Sequence, residues 1–115
     1  MYHGIRTDHG SVVAVEDADG GHGLDPRFDL RTHADGFNWG YGGSGPAQLA
    51  LALCCDALGD DDRALAVYQK FKFAGVGPLA GPGWTLTAAQ VRAAVADIER
   101  VQARLPNRPA DGPSR

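Results

Sequence analysis

The sequence predicts an α+β fold in which a small antiparallel N-terminal sheet packs on three helices, with a central apolar helix. Residues that favour extended structure are concentrated in the first third of the chain, and three segments with helical character follow. The chain has 115 residues, 43% of them hydrophobic, which is the size and composition of one globular domain. We therefore predict a single domain over residues 1–105 and a flexible C-terminal tail, rich in Pro, Gly and polar residues, over residues 106–115.

The N-terminal sheet is predicted from short segments rich in β-branched residues. Residues 2–7 and 12–16 are expected to form two strands joined by an Asp-His-Gly turn, since the valines of the second segment favour extended backbone. After a glycine-rich turn, Leu24 begins either a third strand or an irregular segment. Phe28 and Leu30 alternate with charged residues, and this alternation predicts one more half-buried strand.

The first helix is predicted from Pro46 to about Leu58. Proline at the first helical position loses no intrahelical hydrogen bond, and Gly59 suits a left-handed C-terminal cap. The segment is apolar on nearly every face, so we expect a central helix that other elements cover on several sides. Its adjacent residues Cys54 and Cys55 are expected to be small apolar core residues, because neighbouring helical cysteines cannot form a normal disulfide.

Two further helices are predicted in the C-terminal half of the chain. The acidic run of residues 60–62 suits the positive end of a helix that extends to about Phe73. The last helix begins at a capping box formed by Thr87 and Gln90. Between these two helices, residues 84–86 are expected to form either a short strand or a packing plug.

The second predicted helix carries the sequence Lys70-Phe71-Lys72 near its end. Two lysines at the C-terminal end of a helix match the negative end of its dipole. The same pair is suited to contact with an acidic partner. The sequence leaves both interpretations open.

Composition argues against several classes of function. The net charge of −3 and the pI of about 5.7 argue against a nucleic-acid-binding protein, which usually carries a basic face. No apolar run approaches the roughly 20 residues that a membrane helix needs, and the first residues lack the apolar region of a signal peptide. We therefore expect a cytoplasmic protein without a membrane partner. The histidines lack the spacing of metal ligands, so neither a metal nor another cofactor is predicted.

A glycine-rich segment before the central helix is the most suggestive motif in the chain. Gly40, Gly42 and Gly45 have the spacing of the dinucleotide-binding fingerprint, and a helix follows them. That fingerprint requires a strand before the glycines and a parallel strand after the helix, whereas here a glycine turn leads into a second helix. In addition, Pro46 follows Gly45 where a phosphate-binding loop has lysine. Neither of these nucleotide-binding motifs is therefore predicted.

The same segment has a more general capacity to bind anions. A helix N-terminus leaves backbone N–H groups unpaired and carries the positive end of the helix dipole. Glycines let the backbone approach a ligand, Ser44 adds a hydroxyl, and aromatic rings offer flat surfaces for a base or sugar. Basic residues from segments that can neighbour the loop are Arg6, Arg27, Arg31 and His33. The predicted ligand-binding residues are Trp39, Tyr41, Gly42, Gly43, Ser44, Gly45, Gln48 and Arg31.

A structural explanation of the same residues also stays open. Glycines permit tight packing, Ser44 is a good helix-capping residue, and the rings of Trp39 and Tyr41 suit a core as well as a ligand. Gln48 is a polar residue in an otherwise apolar helix, and a buried amide must find hydrogen-bond partners. It is expected either to bind the ligand or to hold the backbone of the Trp39–Tyr41 loop.

The segment from Gly36 to Leu53 contains the run Trp-Gly-Tyr-Gly-Gly-Ser-Gly-Pro-Ala-Gln, and it resembles a family of small bacterial and phage-borne proteins of unknown function. The resemblance extends to residues 2–6, 24–27, 68–72 and 83–87, and so covers most of the chain up to the tail. It implies no activity, ligand or catalytic residue. The occurrence of the family in phages is compatible with a role in phage–host conflict.

The sequence favours a small non-catalytic binding protein that holds an anionic metabolite or nucleotide at the glycine-rich loop. The alternative is a protein-interaction module, an inhibitor or accessory factor in phage–host conflict, that contacts a host protein through Trp39, Tyr41 or Trp84. The modest apolar core is also compatible with a homo-oligomer. An enzyme is the least favoured class, because no nucleophile–base pair, carboxylate pair or metal-ligand spacing is visible.

Overall fold

Four strands and three helices make up the computed structural model, which describes residues 1–104. The strands are β1 (Tyr2–Thr7), β2 (Gly10–Asp17), β3 (Gly20–Gly23) and β4 (Gly83–Leu86). The helices are α1 (Ser44–Leu58), α2 (Asp61–Phe71) and α3 (Ala88–Arg104), and a π-helical turn (Lys72–Val76) continues α2. The predicted α+β class is confirmed. The predicted tail over residues 106–115 lies outside the described residues.

The four strands form one antiparallel sheet in the order β3-β2-β1-β4. In the β1–β2 pair, Tyr2 lies opposite Val15 and Gly4 lies opposite Val13, so these residues share one face of the sheet. That face is buried and joins a single apolar cluster with α1. Residues 84–86, for which the sequence left two interpretations, belong to β4 and pair with the outer edge of β1.

Two tryptophans connect the sheet to the loop before α1. Trp84 lies opposite Gly4, and a Cβ atom on Gly4 would lie 2.2 Å from Cε2 of the Trp84 indole. Only glycine therefore leaves room for this ring. Trp84 in turn packs edge-on against Trp39, with the ring centroids 5.5 Å apart and the planes at 89°. This contact fixes the position of the loop that carries the predicted ligand-binding residues.

The segment between β2 and α1 differs from the prediction in two places. β3 falls in the glycine-rich stretch that predicts a turn, because Asp17 and Gly20 pair across a tight hairpin. Phe28 and Leu30, predicted as a strand, lie instead in a turn in which the Leu30 N–H donates to the Arg27 carbonyl at 3.0 Å. The left-handed backbone of Arg27, with φ of 60°, bends the chain there, so the alternation of apolar and charged residues reflects a turn.

The central position of α1 is confirmed, since nearly all its residues are buried. It begins at Ser44, two residues before the predicted start, and ends at Leu58; the cap residue Gly59 has a φ of 65°, which is left-handed as expected. Cys54 and Cys55 are free and buried in this helix, and burial raises the pKa of the Cys54 thiol to about 12.

The predicted starts of α2 and α3 agree with the structure. The Asp60 carboxylate accepts a hydrogen bond from the Arg63 N–H at 3.0 Å and so caps α2. Thr87 and Gln90 form both hydrogen bonds of the capping box, at 2.8 and 3.0 Å. No helix in the part of the chain that the structure describes is long and apolar enough to cross a membrane.

Candidate functional site

An open cleft of about 600 Å³ lies where the N-terminus of α1 meets the loop before it. Ser44 and Gly45 line it from the helix, and residues 34–38 and Tyr41 line it from the loop. The β1–β2 hairpin supplies further lining atoms, from His9 in its turn and from Gly10 and Ser11 at the start of β2. Three of the predicted ligand-binding residues, Tyr41, Ser44 and Gly45, therefore lie together at this cleft.

The first turn of α1 has backbone donors that the described residues leave unpaired. Gly43 is the N-cap residue, and its carbonyl accepts from the Ala47 N–H at 3.0 Å. Within residues 1–104, the N–H groups of Gly42, Gly43, Ser44 and Gly45 have no hydrogen-bond acceptor. Among the described residues no side chain caps the helix, so the suggestion that Ser44 caps it is corrected: Ser44 is the first helical residue. The positive end of a buried helix thus lies at the cleft.

Packing within the protein accounts for the glycines of the loop. A Cβ atom on Gly42 would lie 2.9 Å from the ring of Phe73, and one on Gly43 would lie 2.4 Å from the ring of Tyr41. A Cβ atom on Gly45 would lie 2.7 Å from Cβ of Asn38. Each missing side chain therefore makes room for a neighbour inside the protein, and close approach of a ligand is not needed to explain these residues.

The two aromatic residues of the motif have different surroundings. Trp39 is 1% exposed, and its indole N–H donates to the Gly81 carbonyl at 3.1 Å. The prediction that Trp39 offers a stacking surface is therefore corrected, because its ring belongs to the core. Tyr41 is 50% exposed, and its hydroxyl accepts from the Asn38 amide at 3.3 Å. Of the two rings, Tyr41 is the one that can meet a ligand.

Arg6 is the basic residue that reaches the loop. Its guanidinium lies 4.4 Å from the centroid of the Trp39 ring and donates to the Trp39 carbonyl at 3.1 Å. It also donates to the Asn38 side-chain oxygen, and Asn38 in turn contacts Tyr41. The chain of contacts from Arg6 through Asn38 to Tyr41 therefore supports one wall of the cleft.

The other predicted basic residues lie elsewhere. Arg31 donates to the Leu30 carbonyl at 2.7 Å and does not line the cleft. Arg27 forms paired contacts with Asp29 and Asp61, at 2.8–3.0 Å, which raise its own pKa and lower the pKa of both carboxyl groups. Arg27 therefore ties the turn before α1 to the start of α2. The His33 ring contacts the Tyr68 hydroxyl at 2.7 Å.

Gln48 has a structural role that satisfies its whole amide. Its oxygen accepts from the N–H groups of His33 and Ala34, at 2.7 and 3.3 Å. Its NH₂ group donates to the carbonyls of Pro26 and Arg31, at 2.7 and 3.1 Å. The side chain is fully buried and does not line the cleft, so its predicted role in ligand binding is corrected. It holds residues 26–34, and not the Trp39–Tyr41 loop, against α1.

Several residues that line the cleft were not predicted from the sequence. Asn38 and Asp35 lie just before the glycines, but no motif distinguishes them from loop residues. His9 and Ser11 come from the β1–β2 hairpin about 30 positions away, and only the folded chain brings them to α1. No group of three or more His, Cys, Asp or Glu side chains within residues 1–104 is arranged to hold a metal ion. The donors at the cleft are thus mainly amides and hydroxyls.

The fold and the cleft define a small α+β protein with a polar cleft at the N-terminus of its central helix. The chain belongs to a family of unknown function, DUF6166, which it matches over residues 2–97. The match covers every residue that lines the cleft. Comparison with curated proteins and with solved structures gave no match.

Proposed function

We propose that the cleft binds a small anionic ligand, a nucleotide or a phosphate-bearing metabolite, without transforming it. The observation that carries this proposal is the position of unpaired backbone donors, those of Ser44 and Gly45, on the wall of an open cleft. Phosphate groups bind at helix N-termini because several N–H groups and the positive end of the dipole act together. A volume of about 600 Å³ also lies in the range of small-molecule sites.

The remaining cleft residues favour a nucleotide over a bare phosphate ion. The exposed ring of Tyr41 provides a surface on which a base can stack. Asp35, the acidic residue among those that line the cleft, repels a second phosphate but accepts hydrogen bonds from sugar hydroxyls. A ligand with its phosphate at Ser44 and a ribose towards Asp35 satisfies both requirements.

Two substitutions at Ser44 separate the backbone donor from the hydroxyl. S44A removes the hydroxyl and keeps the N–H, whereas S44P removes both. Proline fits this position because it is the first of the helix and because Gly43 before it is extended, with φ of −104°. Both variants should therefore keep the fold, which circular dichroism and the melting temperature check.

The binding test is a thermal-shift and calorimetric titration with AMP, ATP, GMP and inorganic phosphate at one ionic strength. A nucleotide at 100 times its Kd stabilises the native state by about 2.7 kcal/mol, which raises Tm by roughly 10–20 °C in a domain of this size. The wild type should show this rise, S44A should keep most of it, and S44P should lose it. A flat response of the wild type to every nucleotide contradicts the proposal.

The alternative of a protein-interaction module in phage–host conflict stays a prediction, and exposure of Tyr41 is the feature that favours it. Because Trp39 is buried, the relevant variant is Tyr41→Ala and not Trp39→Ala. A host protein that co-purifies with the wild type and is lost with Tyr41→Ala, while nucleotides leave Tm unchanged, favours this alternative. The cytoplasmic location and the homo-oligomer also stay predictions.

A further inference from the structure

A second exposed surface lies beside the cleft, on the π-helical turn that follows α2. We call it the aromatic–lysine patch and define it by Tyr41, Phe73, Lys72 and Lys70, the last of which precedes Phe73 by three residues on the same helical path. Phe73 is 65% exposed and Tyr41 is 50% exposed, both high values for large aromatic side chains. Their rings lie against neighbouring glycines, Phe73 on Gly42 and Tyr41 on Gly43. Because Gly42 and Gly43 are adjacent, both exposed rings lie on the same short stretch of glycine backbone.

The positive charge of the patch is distinctive in this chain. Lys70 and Lys72 are its only lysines, and the chain as a whole carries a net charge of −3. The Lys72 ammonium lies 4.5 Å from the centroid of the Phe73 ring. Within residues 1–104, neither lysine has a carboxylate within 4.0 Å, whereas Arg27 and Arg63 are paired with acidic side chains. Lys72 is thus available to an outside carboxylate, and so is Lys70, which is exposed and also lines a groove with Asp97 and Val101 of α3.

The helix dipole does not explain Lys72. The helical path continues past Lys72 through the π-helical turn to Val76, and the Gly77 N–H donates to the Lys72 carbonyl at 2.8 Å. Lys72 therefore lies a full turn before the end of the helical path, with its ammonium over an aromatic ring. The π-helical turn also places Phe73 outside the core while Phe71 remains buried. Such turns are frequent at functional positions.

We propose that the aromatic–lysine patch is a docking surface for an acidic segment of another protein that carries an aromatic or apolar anchor residue. The anchor packs on the ring of Phe73 beside Tyr41, and flanking carboxylates pair with Lys70 and Lys72. Charge complementarity selects this occupant, because two unpaired lysines next to exposed rings attract carboxylates and repel basic segments. The proposal does not depend on anion binding in the cleft.

The lysines themselves provide the measurement. Reductive methylation with ¹³C-labelled formaldehyde keeps their charge and places an NMR reporter on each of the two lysines. The probe is a synthetic peptide with a central Trp and Glu residues on both sides. Two matched peptides replace either the Glu residues by Gln or the Trp by Ala.

We expect the acidic Trp peptide to shift both lysine signals in a saturable manner, and added salt to weaken its binding. Phe73→Ala should weaken the affinity for this peptide about tenfold, since exposed aromatic anchors dominate such contacts. Lys70→Gln combined with Lys72→Gln, followed by amide signals in a ¹⁵N spectrum, should do the same. Ile5→Ala, which truncates an exposed apolar side chain in β1, should leave the affinity unchanged. The melting temperature of each variant shows that its fold is intact.

Three outcomes overturn the proposal. The first is the absence of any shift with the acidic Trp peptide at millimolar concentration. The second is equal binding of the acidic peptide and its Gln counterpart, which removes the role of charge. The third is equal binding to the wild type and to Phe73→Ala. Because nucleotides are absent from these titrations, none of the three bears on anion binding in the cleft.

Discussion

Replacing Gln48 by Leu tests how the loop before the cleft is held in place. The Gln48 amide makes four hydrogen bonds from the centre of α1 to backbone groups of residues 26–34. Leucine has a similar volume and suits the apolar surroundings, but it offers no hydrogen bond. The variant therefore leaves two N–H groups and two carbonyls without their partner.

The two shortest of these hydrogen bonds set the expected loss in the free energy of unfolding. The His33 N–H and the Pro26 carbonyl each lie 2.7 Å from the Gln48 side chain, and both bonds are partly buried. An unsatisfied buried group costs about 1–3 kcal/mol, and the two groups together give roughly 2–6 kcal/mol. Burial of the apolar leucine offsets part of this cost, so we expect the free energy of unfolding to fall by about 3 kcal/mol. That is a large fraction of the stability of a small domain.

The assay is urea unfolding followed by circular dichroism, with Gln102→Leu in α3 as the control, because the Gln102 side chain makes no hydrogen bond within residues 1–104. The control should change the free energy of unfolding by less than about 0.5 kcal/mol. Gln48→Leu should also increase hydrogen exchange at the His33 and Ala34 amides. If Gln48→Leu is as stable as the wild type, the buried amide is not what holds the loop.

Gln48→Glu should make the stability of the fold depend on pH. The ionised carboxylate keeps an acceptor for His33 but turns a second oxygen towards the carbonyls of Pro26 and Arg31. Burial and this repulsion raise the pKa of the introduced carboxyl group in the folded state. Its stability should therefore be low at neutral pH and recover as the pH falls through that raised pKa, because the protonated group again donates. A variant whose stability deficit does not shrink on acidification contradicts this explanation.

Three further predictions concern other parts of the molecule. Gly4→Ala places a Cβ atom 2.2 Å from the Trp84 ring. The free energy of unfolding of this variant, measured by urea titration, should fall by about 2 kcal/mol or more, and an unchanged value contradicts the packing argument. Arg27 lowers the pKa of Asp61 below its usual 3.8, so this ion pair stabilises the fold above that pH, and its contribution is lost as the pH falls through the lowered pKa. Arg27→Gln should therefore lose less stability than the wild type on acid titration, and an equal loss of stability contradicts this explanation. Asp35→Asn removes an acidic side chain from the cleft and should tighten binding of inorganic phosphate about two- to fivefold by calorimetry; weaker binding contradicts the proposed repulsion.

Local signals in the sequence predicted much of the fold. The capping box of Thr87 and Gln90, the left-handed Gly59 and the apolar run of α1 each depend on neighbouring residues, and each is confirmed. The predicted strand at Phe28 and Leu30 was wrong because that turn is shaped by the left-handed backbone of Arg27 and by its ion pair with the distant Asp61. Periodicity encodes neither feature.

The candidate site was less predictable, because long-range contacts decide which residues line it. The glycine-rich motif correctly located a helix N-terminus, yet the glycines make room for Phe73, Tyr41 and Asn38. Trp39 resembles a ligand-stacking residue in sequence, but its contact with Trp84 across the molecule places it in the core. Local sequence cannot show which aromatic rings a distant strand will cover.

The most direct test of the proposed function is a ¹H–¹⁵N NMR titration of the wild-type protein with a nucleotide. If the cleft binds its phosphate, the amide signals of Gly43, Ser44 and Gly45 shift most, saturate together and stay unshifted when the unphosphorylated nucleoside is added. If AMP, GMP and ATP leave these amides unshifted at millimolar concentration, or shift only residues remote from α1, the N-terminus of the central helix is not an anion site.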